Sequence, residues 1–345
     1  MTNYEIFDDP YYLAQYPWVK PAIDAGIIKS GREHFEKFGQ AGGLTKVSRY
    51  FDEETYLAQN PDIARLVRSP NNPNAPFASG LDQFIQFGYE EGRTRVSPDY
   101  NEDFYLANNP ELVPLVQNGT FKNGYQHFIK FGNKEGRFAT SFWEPKYLIN
   151  NPDIAPFVNS GALKTGREHY FKFGQFEQRR SATFVGSRGN DILTGVGVGD
   201  VELIGVEVGS LNSNPRTESD GSNEFDTLIG GTGRDKFVFG EVLLSNRLNI
   251  LGIKTYYIGP GFATIRNFTQ GQDRIELSGS SLDRYILVPT NNNRDLAIQT
   301  NGLTSFNQNG VSETSRGDTI AVIEGGGNLK LNLLPQSSFG TLLIG

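Results

Sequence analysis

Gly230-Gly231-Thr232-Gly233-Arg234-Asp235-Lys236-Phe237-Val238 sets three glycines and one aspartate ahead of an apolar pair. The glycines permit a tight turn with positive φ and leave bare carbonyls facing inward. Asp235 adds a hard anionic oxygen, and Phe237-Val238 supply a short strand whose side chains can fill an interior. The pattern recurs upstream with drift. Gly186-Ser187-Arg188-Gly189-Asn190-Asp191-Ile192-Leu193-Thr194 has Ser187 for the second glycine, and Gly195-Val196-Gly197-Val198-Gly199-Asp200 degenerates after its aspartate. Gly221-Ser222-Asn223-Glu224-Phe225-Asp226-Thr227-Leu228-Ile229 carries Glu224 where the third glycine belongs. Asp191 and Asp200 are nine residues apart, as are Asp226 and Asp235.

These copies resemble the RTX, or hemolysin-type, nonapeptide repeat Gly-Gly-x-Gly-x-Asp-x-Leu-x. The resemblance implies a β-roll that binds Ca2+ in its turns. Asp191, Asp200, Asp226 and Asp235 would supply carboxylates, and Gly186, Gly189, Gly230 and Gly233 would mark the carbonyl-bearing turns. Calcium takes six to eight oxygens without demanding rigid geometry, whereas sulfur- or imidazole-preferring metals do not suit such a turn. In the family one ion lies between turns two nonapeptides apart, yet Asp191 and Asp226 are 35 residues apart. The spacing closes if the 17 extra residues, within about Glu202 to Asp220, loop out. One or two calcium sites are therefore expected; the competing reading is glycine-rich turns that fold without metal.

Beyond Asp235 the chain alternates in β fashion at residues 236–239, 263–268, 273–277, 285–288, 295–298, 318–323 and 342–344, with Gly, Asn and Ser between. The stretch from Ala263 through Gly271-Gln272-Asp273-Arg274-Ile275-Glu276-Leu277-Ser278-Gly279 resembles the β domain that follows the roll in secreted RTX proteins, with Asn267 where an Asp is common. In that family the C-terminal region is an uncleaved type I secretion signal. The start Met1-Thr2-Asn3-Tyr4-Glu5 has no basic and apolar leader, which agrees with that route. The expected location is extracellular or at the cell surface.

The first half carries a different repeat. Tyr-Leu followed by Pro recurs as Tyr12-Leu13 with Pro17, Tyr56-Leu57 with Asn60-Pro61-Asp62, Tyr105-Leu106 with Asn109-Pro110-Glu111, and Tyr147-Leu148 with Asn151-Pro152-Asp153. The prolines are 44, 49 and 42 residues apart. A second anchor runs Gly31, His34, Phe38-Gly39; Gly80, Gln83, Phe87-Gly88; Gly124, His127, Phe131-Gly132; Gly166, His169, Phe173-Gly174. Asn before Pro predicts a helix N-cap with Pro at the first helical position, and the Phe-Gly glycines predict left-handed helix stops. Such short helices are unstable alone, so the four copies must pack on each other around their Tyr, Leu, Phe and Ile side chains. The pattern resembles helical repeats of secreted or surface bacterial proteins, cyanobacterial ones included, which imply no particular activity.

The three histidines all fall at one repeat position, where copy two has Gln83. Stacking would spread them along the array, so a structural hydrogen bond explains them better than a metal or catalytic site. Arg93 and Arg137 read as repeat-structural ion pairs, and the aromatics as core before sugar platforms.

Composition bounds the rest. The 345 residues hold no Cys, which excludes a disulfide scaffold and thiolate chemistry. A net charge of −7 gives no general pull toward nucleic acid, and no apolar run is long enough to span a bilayer. Residues 1–180 hold 17 of the 25 Phe and residues 181–345 hold 25 of the 40 Gly. The expected architecture is therefore α+β in two domains: a four-copy array of stacked short helices over 1–180, and a calcium-binding β-roll with a β-sandwich-like C-terminal part over 181–345. No nucleophile elbow, zinc-protease motif, P-loop, dinucleotide fingerprint or EF-hand is present. The expected function is non-catalytic calcium binding, with the helices presenting a surface to another protein or a surface polysaccharide. The alternatives are an intracellular scaffold without metal and a carbohydrate-acting enzyme.

Overall fold

The computed structural model describes residues 3–177, 179, 182–208, 219–244, 250–279, 281–306, 312–334 and 341–345. The chain is mixed α and β, with helices in its N-terminal part and mixed sheets in its C-terminal part. Two compact units form, Met1–Thr140 with Pro152–His169, and Ser141–Asn151 with Tyr170–Gly345. Among the described residues no helix is long and apolar enough to cross a membrane.

In the first unit, helices Asp9–Gln15, Glu53–Gln59 and Glu102–Asn108 start on Asp8, Asp52 and Asn101, whose side chains accept the N–H of Tyr11, Thr55 and Phe104. These caps satisfy donors that the first helical turn leaves open. A second short helix in each copy, Gly31–His34, Gly80–Gln83 and Gly124–His127, is capped by Ser30, Ser79 and Asn123. Each continues into a π-helical turn, Phe35–Gly39, Phe84–Gly88 and Phe128–Gly132.

Two local expectations change. Gly88 and Gly132 keep helical φ of −56° and −57°, and the left-handed stops are Gly92 (φ 80°) and Gly136 (φ 74°). A Cβ at Gly39, Gly88 or Gly132 would instead press on the hydroxyl of Tyr12, Tyr56 or Tyr105, so glycine is required there by close approach. Asn60 and Asn109 do not cap the helices that follow them. They reach backward, Nδ2 donating to the carbonyls of Tyr56 (2.8 Å) and Tyr105 (2.7 Å) in the last turn of the preceding helices.

The helical segments close on one another instead of extending as an open stack. Gln15 donates to the Gly161 carbonyl, Arg49 to those of Val158 and Lys164, and Lys164 and Arg167 pair with Asp52 and Asp99. Tyr12, Tyr56, Tyr105, Tyr125, Phe35, Phe84 and Phe128 form the continuous buried centre.

In the second unit the chain alternates between two sheets. Strands β1 (Ala182–Gly186), β3 (Val201–Glu207), β5 (Asp235–Val238) and β9 (Arg274–Ser278) lie parallel in one sheet; β2 (Ile192–Thr194), β4 (Phe225–Ile229) and β8 (Phe262–Arg266) lie parallel in the other. β6 (Gly240–Leu244) and β7 (Ile250–Thr255) form a separate antiparallel pair inserted between β5 and β8. β10 (Tyr285–Thr290), β11 (Asp295–Phe306) and β12 (Ser312–Ile323) extend the second sheet, β12 lying parallel to β8, and β13 (Thr341–Ile344) closes the first on β9. Leu193, Leu203, Leu228, Phe237, Ile265 and Ile275 fill the interior between the sheets.

Residues 141–151 group with these strands because the Trp143 N–H donates to the Thr183 carbonyl and the Val185 N–H to that of Ser141, covering β1. On the outer face, Glu202 sits between Lys146 and Lys236. Burial alone would raise its pKa, but the two ammonium groups draw it down to about 2.

Candidate functional site

The parallel register brings the turns of successive strands face to face. Ile192 pairs with Thr227, so Asp191 and Asp226 become neighbours although 35 residues separate them in sequence. The intervening residues Val201–Glu207 are strand, so the extra length lies beyond Glu207; residues 209–218 of that expected loop fall outside the described residues. Lys236 pairs with Arg274, which sets Asp235 beside Asp273. Val201 pairs with Asp235, which leaves Asp200 one position short.

Two sets of turns result, and they differ chemically. In the first, Asp226 Oδ1 accepts the Asp191 N–H (2.7 Å), and Asp226 Oδ2 accepts the hydroxyl of Tyr257. Asp191 Oδ2 accepts the N–H (2.6 Å) and the hydroxyl (2.9 Å) of Ser187. Gly186 crosses so close to Gly205 that a Cβ would collide with the Gly205 carbonyl, whereas a Cβ at Gly189 would meet nothing nearer than the Ser187 hydroxyl at 3.8 Å. Glu224 is buried, and its Oε2 has no partner. Burial first, then the Asp226 and Asp191 carboxylates, raise the Glu224 pKa to about 8; burial raises that of Asp226 to about 7.

In the second set, Asp235 is 0% exposed and neither carboxylate oxygen completes a hydrogen bond. Burial, then the neighbouring Asp273 carboxylate, raise its pKa to about 7 against the pull of the Gly231 amide. An ionised carboxylate buried without a partner costs several kcal/mol. Glycine backbone surrounds it. Gly230 lies against Asp235 Oδ2, and Gly231 approaches the carbonyls of Gly195 and Gly197. A Cβ at Gly233 would meet the Gly199 carbonyl. Asp200 is more exposed, and Arg234 grips it through Nε (2.9 Å) and Nη2 (3.2 Å). The Asp235 N–H donates to Asp273 Oδ1 (3.0 Å), whose other oxygen accepts the Thr269 N–H (2.7 Å).

The charged neighbours of Asp235 are the Asp273 and Asp200 carboxylates, whose oxygens suit a hard cation. Among the described residues no group of three or more carboxylate or imidazole side chains is placed to hold a metal, so a cation there would draw most of its oxygens from backbone carbonyls. Asp273, Glu224 and Tyr257 were not singled out from the sequence. Gly271-Gln272-Asp273 does keep the Gly-x-Asp ending that could have marked the first of them.

The helical candidates resolve differently. His34 Nδ1 and His127 Nδ1 each lie 2.8 Å from the hydroxyl of Tyr12 and Tyr105, and Gln83 Oε1 accepts the Tyr56 hydroxyl. The partner is a tyrosine of the same copy. Burial lowers the pKa of both histidines. Arg93 spans Asn60, Asp62 and Glu91, and Arg137 spans Asn109, Glu111 and Glu135. Neither guanidinium is left open for an anion. Comparison with protein-family models, curated proteins and solved structures gives no match for this chain.

Proposed function

We propose that the chain is a non-catalytic calcium-binding protein of the RTX type, in which residues 181–345 include a β-roll and residues 1–180 are an array of four helical repeats. The observation that carries this reading is the buried, unpartnered carboxylate of Asp235, against which Gly195 and Gly230 pack so closely that a Cβ at either would meet its oxygens. Such a group needs a proton or a cation, and carboxylate oxygens in a glycine-rich turn favour calcium. Asp235 would hold the ion, with the glycine turns lending carbonyls and Asp200 free to join if Arg234 releases it. Bound calcium would supply the positive partner that Asp235 lacks.

Because binding energy adds to folding energy, the turns would set firmly where calcium is plentiful, which favours a secreted or cell-surface protein. The helical unit would present its surface to another protein or a polysaccharide. Isothermal titration with calcium tests the reading. Wild type should show saturable binding that Asp235→Asn abolishes while circular dichroism stays unchanged; equal heats in the two proteins would remove Asp235 from the site.

A further inference from the structure

The two sets of turns share one sequence pattern, yet only the second leaves its aspartate without partners. The difference traces to Tyr257, which follows the inserted pair β6–β7. Its backbone takes φ 61°, a conformation bulky residues rarely adopt, and its N–H is anchored on the Asp220 carbonyl (2.6 Å). This pose drives the fully buried ring over Gly221 and its hydroxyl against Gly205 and Asp226. Those glycines have no side chains, so the phenol fills the space between the turns.

A turn that is to hold calcium must leave several oxygens facing an open centre. Here Asp226 Oδ1 is taken by the Asp191 N–H, Asp226 Oδ2 by the phenol, and Asp191 Oδ2 twice by Ser187. Three of the four aspartate oxygens are thus engaged, and Glu224 Oε2 is the buried side-chain oxygen of these turns left without a partner. We propose that Tyr257 acts as a built-in plug that closes the Asp191–Asp226 turns to metal and sets the capacity of the chain at one calcium ion. The inference rests on the calcium reading of the Asp235 turns.

The test is calcium stoichiometry by isothermal titration on the full chain, with circular dichroism as the check on folding. Wild type should bind one ion per chain, and Asp226→Asn should leave that number unchanged. Tyr257→Gly, which suits the positive φ and removes the ring, should bind two; adding Asp226→Asn to it should return the count to one. Loss of calcium binding in folded Asp226→Asn would overturn the plug, as would two ions in wild type or a folded Tyr257→Gly that still binds one. Should Tyr257→Gly fail to fold, the wild-type count and Asp226→Asn decide the matter without it. Failure of the calcium reading looks different: wild type binds nothing, or Asp235→Asn binds as wild type does.

Discussion

The helical unit and the glycine turns both repeat a short sequence pattern, but they treat buried polar groups in opposite ways. In the helices, Tyr105 meets His127, Glu102 accepts the N–H groups of Gly124 and Tyr125, and Arg137 bridges Asn109 and Glu111. Copy two repeats each contact through Tyr56–Gln83, Glu53 on Gly80 and Leu81, and Arg93. Asn108 Nδ2 is the exception among the buried side-chain groups described there. In the strand unit, by contrast, both oxygens of Asp235, Glu224 Oε2 and Arg274 Nε stand unpartnered. A recurrent polar residue with a recurrent partner is architecture; one left buried without a partner marks a place where something else is expected to bind.

The largest effect should come from the backbone approach on which the turns depend. Gly186→Ala sets a Cβ against the Gly205 carbonyl, and neither backbone segment can withdraw without breaking its strand. A loss above about 4 kcal/mol is expected in urea unfolding; a loss under about 1 kcal/mol would show the turns to be far looser than their register implies.

Next, the two aspartates should answer with opposite signs in chelator. Asp235→Asn removes a buried charge without partners and should stabilise the metal-free chain by about 1–3 kcal/mol. Asp226→Asn disturbs a carboxylate that already accepts two hydrogen bonds and should destabilise it by about 1 kcal/mol. Thermal melts of both in chelator decide this, and shifts of the same sign would erase the distinction between the two sets of turns.

A smaller change is expected at the helical tyrosines. Tyr105→Phe strips His127 Nδ1 of its partner while keeping the ring, so about 1 kcal/mol should be lost, measurable by denaturant titration.

The smallest effect concerns pH. Burial holds His34 and His127 below their ordinary value, so the folded state resists protonation that the unfolded chain accepts. Stability contributed by these neutral imidazoles is present above about pH 6.5 and falls as the pH drops below it. Replacing both by glutamine, as copy two already has at Gln83, should flatten the melting temperature between pH 7 and 5. An unchanged slope would assign that dependence to other groups.

Much of this organisation was legible in the residues. The recurrence of Tyr-Leu and of the Gly-to-Phe-Gly anchor located the helices, and period-two alternation located strands such as Phe262–Arg266 and Arg274–Ser278. The inserted pair β6–β7 was not legible, because Gly240–Leu244 and Ile250–Thr255 lie outside any repeated pattern. Asn60 and the Phe-Gly glycines misled for a related reason. Their residue types favour capping, but their neighbours in space put the side chain, or its absence, to another use.

The sequence by itself determined where the glycine-aspartate turns fall and that aspartate recurs at nine-residue steps, since these follow from residue type and spacing. Only the tertiary structure decided which aspartate is left in need. Parallel pairing set Asp191 against Asp226 and Asp235 against Asp273, and a tyrosine from an insertion reached one pair and not the other. Spacing along a chain says which groups can approach, whereas burial and the partners that arrive from distant segments say which charges are satisfied.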